Sequence, residues 1–161
     1  MGKKMIQPWI IIAGVTLFVA FGSFFFKPRD LVWVKYIKRP DWLVFEPAIP
    51  IIWTIVFVCG VKSAARIWEN EPGSLKTWLL MGGYLLLEIV TVAYVPATLR
   101  LRSLKVGTVL GASGLILGIL LTLAVWTISG RAALLLLPYV IWSTIGTSAT
   151  SEMVEENPDA A

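Results

Sequence analysis

Few side chains in this chain of 161 residues could carry out chemistry. It has no histidine, which is the usual general base and the commonest metal ligand, and its one cysteine, Cys59, cannot form an internal disulfide. No nucleotide-binding glycine loop, zinc-ligand spacing or nucleophile elbow occurs. We therefore predict a protein that is not an enzyme and that has neither catalytic residues nor a metal site.

Glu88 is the acidic residue that interrupts a long apolar run, and Thr91 lies three residues later on the same helical face. An ionised carboxylate in the middle of a membrane costs about 2.5 kcal/mol or more, so Glu88 should face the interior of a helix bundle. We favour a contact with a ligand or a proton, because polar residues inside lipid are rare. The alternative is a structural hydrogen bond to a neighbouring helix.

Trp53 and Trp142 each follow a proline, Pro50 and Pro138, by three or four residues. A proline inside a helix frees a backbone carbonyl and bends the helix, and an indole offers a flat apolar face with one N–H donor. Together the two tryptophans could line a pocket for a flat, apolar ligand. Simple aromatic packing between helices explains the same spacing equally well.

The composition excludes a water-soluble globule, since 57% of the residues are hydrophobic, 15% are charged and the mean hydropathy is +0.79. Five apolar runs of about 20 residues are each long enough to cross a bilayer. We therefore predict an all-α fold, an integral membrane bundle of five transmembrane helices forming a single domain over residues 1–161. The predicted spans are residues 6–26, 48–67, 77–99, 106–128 and 132–151.

The first link, residues 27–46, is longer than neighbouring helices need for their connection. It contains five basic residues together with Trp33, Tyr36 and Trp42. This composition suits an anchor at the lipid headgroups and, equally, a lid over the mouth of the bundle. After the last span, residues 152–161 form a predicted acidic tail.

Basic residues are distributed unevenly over the two sides of a five-span chain. The side of the amino terminus, with Lys3 and Lys4, carries six, and the side of the long first link carries eight. The positive-inside rule therefore predicts a cytoplasmic carboxyl terminus. The net charge of +4 favours lipid headgroups as partners, and we expect no nucleic acid.

The predicted fourth span carries glycines at intervals of four, three and four residues, Gly107, Gly111, Gly114 and Gly118. They share one helical face and would let a neighbouring helix approach its backbone closely. We favour a neighbour inside the same bundle. A homodimer or another subunit of a membrane complex is the alternative partner.

Several motifs resemble the tryptophan-rich sensory protein and translocator protein family, TspO/MBR, also called the peripheral benzodiazepine receptor family. Residues 33–42 read W-x5-R-P-x-W, and residues 50–54 read P-x-x-W-T. Phe57 stands where the family often has tyrosine, and Pro138, Tyr139 and Trp142 match its P-Y-x-x-W motif.

The resemblance implies a pocket beneath the first link that binds protoporphyrin, haem or a sterol-like ligand, with a tetrapyrrole as the only expected cofactor and none required. It also implies a bacterial inner membrane or a thylakoid membrane. The residues we assign to the pocket are Trp33, Tyr36, Trp42, Trp53, Phe57, Glu88, Thr91, Tyr139 and Trp142.

The sequence also departs from the family pattern. The motif W-x-P-P-x-W is missing from residues 42–47, and the family's Asn and Trp of the third span are here Glu88 and Thr91. We therefore keep a second hypothesis, a non-catalytic structural or assembly subunit of a larger membrane complex. Modification of a porphyrin has little support, because no acid and base are paired for it.

Overall fold

A computed structural model describes residues 6–161, and Lys3 and Lys4 of the orientation argument lie outside it. The described part contains six α-helices and no strand, so the all-α prediction is confirmed. The helices are α1 Pro8–Ala20, α2 Pro28–Val34, α3 Ile49–Asn70, α4 Leu75–Leu101, α5 Leu104–Trp126 and α6 Gly130–Glu156.

Four of these helices, α3 to α6, are long and apolar enough to cross a membrane. The first predicted span, residues 6–26, is shorter than expected, because α1 continues only as a 3-10 helix over Phe21–Phe24. A fifth crossing is reached if Pro8–Phe24 and Pro28–Val34, which meet at a bend of 71°, form one span. The structure therefore supports four or five spans.

Three serines set the starts of α4, α5 and α6. Each precedes the first helical residue, and its hydroxyl accepts a hydrogen bond from the backbone N–H three residues later, at 3.1 Å for Ser74, 3.3 Å for Ser103 and 3.2 Å for Ser129. Such caps satisfy amides that the helix itself leaves free. The three helices therefore begin two residues before the predicted spans, which start at residues 77, 106 and 132.

The predicted acidic tail, residues 152–161, is mostly helical. The last helix α6 continues to Glu156, and a 3-10 turn, Pro158–Ala160, follows it. The prediction ended the helix where apolar residues give way to acidic ones, but a helix can extend beyond the bilayer once its face no longer needs to be apolar.

The first link also contains a helix that the prediction missed. Pro28 lies in the first turn of α2, and Asp30 accepts the backbone N–H of Lys27 at 2.8 Å. Both features favour a helix start. The rest of the link lies over the end of α6, where the side chain of Asn157 accepts the N–H of Lys38 at 2.8 Å and donates to the Lys38 carbonyl at 3.0 Å.

The glycine stripe of α5 faces other helices of the same chain. A Cβ added at Gly118 would lie 2.6 Å from a ring carbon of Tyr139, and one at Gly114 would lie 2.6 Å from the hydroxyl oxygen of the same residue. At Gly111 it would meet Thr147 of α6. The face that a homodimer or a foreign subunit would need is therefore covered by α6, because the missing side chains let the two helices of this chain approach closely.

The core of the bundle lies where α3, α4 and α6 meet. Val56, Leu87 and Leu136 contribute one buried side chain from each of these helices. Ile67 near the end of α3 and Val125 near the end of α5 are almost fully buried. The outward faces carry large apolar residues such as Phe18, which is 80% exposed, as expected of helices in contact with lipid.

Candidate functional site

A small cavity lies inside the bundle between α3, α4 and α6. Its volume is about 30 Å³. Five of the nine residues that we assigned to the pocket lie around it. The remaining lining residues were not part of the sequence prediction. The lining residues are Trp53, Val56, Phe57, Gly60, Tyr84, Leu87, Glu88, Thr91, Leu136 and Tyr139.

One wall of the cavity is aromatic. Trp53 and Phe57 lie one turn apart on α3, with ring centroids 5.9 Å apart. Tyr139 of α6 packs edge-on against Trp53 at 6.4 Å. Pro50 in the first turn of α3 is tolerated because the first helical amides have no partner within the helix. This wall offers flat apolar surface to whatever enters the cavity.

The polar part of the lining belongs to α4, where Tyr84, Glu88 and Thr91 recur at helical spacing on one face. The Thr91 hydroxyl donates to the Leu87 carbonyl at 2.7 Å, so its oxygen accepts the hydroxyl proton of Tyr139 at 2.9 Å. This contact joins α4 to α6 at the edge of the cavity. A ligand with hydrogen-bonding groups could compete for either hydroxyl.

Tyr84 closes the other end of the same face. The Ser63 hydroxyl donates to the Ala132 carbonyl at 2.7 Å, which leaves its oxygen to accept the proton of Tyr84 at 2.6 Å. Because both hydroxyls are buried, this chain of hydrogen bonds holds α3, α4 and α6 together. The sequence argument did not assign Tyr84 to the pocket.

Glu88 contacts a helix that the sequence argument did not connect with it. Its Oε1 accepts a hydrogen bond from the Thr16 hydroxyl of α1 at 2.5 Å. Thr16 is buried, and it is the only side chain of α1 that carries a hydroxyl. That polar residue in an otherwise apolar helix was the available signal. The structural bond expected as the alternative role is therefore present, while Glu88 also lines the cavity.

Trp142 does not line the cavity. It is buried one layer above, where Phe45 of the first link packs edge-on against it at 6.0 Å. Trp42 lies 6.2 Å from Phe45, and its indole N–H donates to Glu152 of α6 at 2.8 Å. Three aromatic side chains thus join the first link to α6 directly above the site.

The other two assigned residues of the link lie away from the cavity. Trp33 is half-buried in α2, and the side chain of Tyr36 is 80% exposed. An exposed tyrosine is available for the anchor role that the sequence left open. The structure thus brings together Trp53, Phe57, Glu88, Thr91 and Tyr139, and it leaves Trp33, Tyr36, Trp42 and Trp142 outside.

The volume limits what the site holds in this conformation. A cavity of about 30 Å³ accommodates one water molecule, whereas binding pockets for drug-sized ligands measure about 300–1,000 Å³. A flat ligand would therefore have to separate the helices around the cavity. No histidine or cysteine lines it, so the contacts available are aromatic stacking and hydrogen bonds.

Comparison with known proteins gives the family. The model of the TspO/MBR family matches residues 10–155. An uncharacterised membrane protein YtaB from Bacillus subtilis is 29% identical over 140 residues, covering 86% of this chain and 87% of that protein. The tryptophan-rich protein TspO from Bacillus cereus is 28% identical over 138 residues, covering 83% and 88%.

A third relative, the protein CrtK from Rhodobacter capsulatus, is 25% identical over 139 residues, covering 78% of this chain and 79% of its own length. The family match covers α3, α4, α5 and all but the last residue of α6, and it includes the residues around the cavity. The chain therefore belongs to the TspO/MBR family of membrane proteins.

Proposed function

We propose that this protein binds a flat, apolar ligand between α3, α4 and α6 and serves to sense or handle that ligand without converting it. The carrying observation is that Trp53, Phe57 and Tyr139 line one cavity together with Glu88 and Thr91. Aromatic faces opposite a few polar groups suit a tetrapyrrole such as protoporphyrin or haem, or a sterol-like molecule. The relatives named TspO and CrtK belong to the same family as this chain.

In this proposal the first link controls entry. Phe45 covers Trp142 above the cavity, and hydrogen bonds to Glu152 and Asn157 fasten the link to α6. Release of these contacts would let α3, which follows the link, move away from α6. Trp42 then becomes part of the ligand cover, and Trp33 and Tyr36 anchor the link at the headgroups.

The proposed arrangement in the membrane has five spans. The segment Pro8–Phe24 would extend about 27 Å by helical rise, close to the hydrocarbon thickness of about 30 Å. Exposed Phe18 and Phe21 on this segment suit lipid contact. With five spans, the eight basic residues and the carboxyl terminus lie on the cytoplasmic side of a bacterial inner membrane or a thylakoid membrane.

Titration with protoporphyrin tests the binding proposal. We expect saturable quenching of tryptophan fluorescence in the purified protein. Trp53→Leu should weaken binding by several-fold to tenfold, because an aromatic contact contributes about 0.5–1.5 kcal/mol beyond area burial. Trp78→Leu is the matched control, since Trp78 lies on α4 away from the cavity, in contact with Trp68. Equal losses in both variants would contradict the proposal.

The second candidate is a structural or assembly subunit of a larger membrane complex. The specific observation in its favour is that the protein's own side chains leave a cavity of only about 30 Å³ between the helices. Purification in mild detergent distinguishes the two. A monomer or homodimer that takes up protoporphyrin supports the binding protein, and stable association with other subunits without uptake supports the second candidate.

A further inference from the structure

A second groove lies on the outer surface of the bundle, between the end of α1 and the second half of α4. Its volume is about 500 Å³, and it is open along one side. The chain bends by 71° after Phe24, and the small side chains of Ala93 and Ala97 line the facing wall. The bend and the missing bulk together leave room for a long, thin apolar group.

The groove is about as long as the hydrocarbon layer of one lipid leaflet is thick. Its α4 wall runs from Ile89 to Leu101, which corresponds to about 18 Å along a helix. Half of a hydrocarbon core of about 30 Å is nearly the same length. The groove therefore leads from the middle of the bilayer to the boundary where α4 ends.

The boundary end of the groove is basic. Arg100 lines the groove, its side chain is exposed, and it makes no ion pair within residues 6–161. Arg102 and Lys105 follow it, and no acidic residue occurs between Glu88 and Glu152. A positive charge at the rim of an apolar groove complements a molecule with an anionic head and an apolar tail.

Asp30 of the neighbouring helix α2 leaves this charge in place. Its carboxylate is buried, accepts the backbone N–H of Lys27 at 2.8 Å and lies 3.9 Å from the side chain of Arg29. A second copy of this chain would not supply an acidic partner either. A twofold contact through the groove would place two Arg100 side chains at one interface.

We propose that the groove binds an anionic phospholipid of the surrounding leaflet. One acyl chain lies along α4 beside Ala93 and Ala97, and the phosphate lies at Arg100. The planar guanidinium can form two parallel hydrogen bonds with phosphate oxygens. In a phosphatidylcholine headgroup, the positive charge of choline partly offsets the attraction between arginine and phosphate. This site is separate from the cavity between α3, α4 and α6.

The test uses the full chain in nanodiscs of dioleoyl phosphatidylglycerol and dioleoyl phosphatidylcholine at equal amounts, with native mass spectrometry of the retained lipids. We expect phosphatidylglycerol to be enriched about fivefold, the effect of about one basic residue at the surface. Arg100→Gln should abolish most of this enrichment. Lys105→Gln removes the same charge outside the groove and should preserve it.

Ala97→Leu fills the groove without changing the charge and should lower the retention of phosphatidylglycerol at least severalfold. The proposal is overturned by an absence of enrichment in the unchanged protein, by equal losses in Arg100→Gln and Lys105→Gln, or by full retention in Ala97→Leu. It is also overturned if the measured mass is that of a dimer that Ala97→Leu dissociates, because a second copy would then fill the groove.

Discussion

Glu88 and Thr16 form the contact that ties α1 to the site at the scale of single residues. The carboxylate of Glu88 lines the cavity and accepts a hydrogen bond from Thr16, which carries the only side-chain hydroxyl of α1. Sequence reasoning placed Glu88 and Thr91 on an interior face, because helical spacing is a local property. It did not find Thr16, because a partner 72 positions away is chosen by how the helices pack.

Thr16→Val should reduce the free energy of unfolding by about 1–3 kcal/mol, since it leaves a half-buried carboxylate without its donor. In a Glu88→Leu background the same change should have little effect. Thr108→Val is the control, because the Thr108 hydroxyl bonds only the Leu104 carbonyl of its own helix. Denaturation in detergent measures the energies, and additive losses would show that the two side chains are not coupled.

The contact of α5 with α6 depends on glycine at the scale of whole elements. Repeated spacing predicted a contact face, and the structure shows α6 against it. Helix existence was predictable from the apolar runs, whereas helix ends depended on serine caps and on how far α6 extends beyond the lipid. The helix in the first link was missed because aromatic and basic composition outweighed the local signals of Pro28 and Asp30.

Gly118→Ala should lower the melting temperature, because its Cβ would lie 2.6 Å from the rigid ring of Tyr139 and overpacking costs about 1–3 kcal/mol. Gly82→Ala, whose Cβ would meet nothing within 4 Å, is the matched control on α4. Thermal unfolding in detergent compares them. A Gly118→Ala protein as stable as the control would mean that α5 and α6 do not pack as described.

Asn157→Ala should loosen the first link, since it removes both hydrogen bonds with the Lys38 backbone. Each bond contributes about 0.5–1.5 kcal/mol, so trypsin should cut after Lys38 about tenfold faster. Asn70→Ala removes only a bond to the Arg66 carbonyl of its own helix and should leave the rate unchanged. Unchanged cleavage in Asn157→Ala would contradict the fastening of the link to α6.

The whole molecule is a membrane bundle, and its class followed from composition, because 57% hydrophobic residues must contact lipid. The number of crossings was harder to predict from the sequence, because α1 is followed by a 3-10 helix and a bend. The size of the cavity could not be predicted, because it depends on how all the side chains of α3, α4 and α6 fill the space between them.

A reporter fused after Ala161 tests the orientation of the whole molecule. We expect activity only in the cytoplasm, because the side with the first link carries more basic residues. A second reporter at the amino terminus should be active only outside. Activity of both reporters on one side would indicate an even number of spans, and α1 would then not cross the membrane.

The central claim is that a flat ligand enters the cavity between α3, α4 and α6, and the affinity of a variant with a filled cavity tests it most directly. Gly60 lines the cavity, and a Cβ there would meet nothing within 4 Å, so Gly60→Leu should place side-chain atoms in the space that a ligand would enter. Gly82→Leu is the control, because Gly82 is exposed on α4 and equally unobstructed. We predict that Gly60→Leu weakens protoporphyrin binding at least tenfold, a cost of about 1.4 kcal/mol, and that Gly82→Leu leaves it unchanged. Equal affinities of the two variants would contradict the claim and place any bound protoporphyrin elsewhere on the protein.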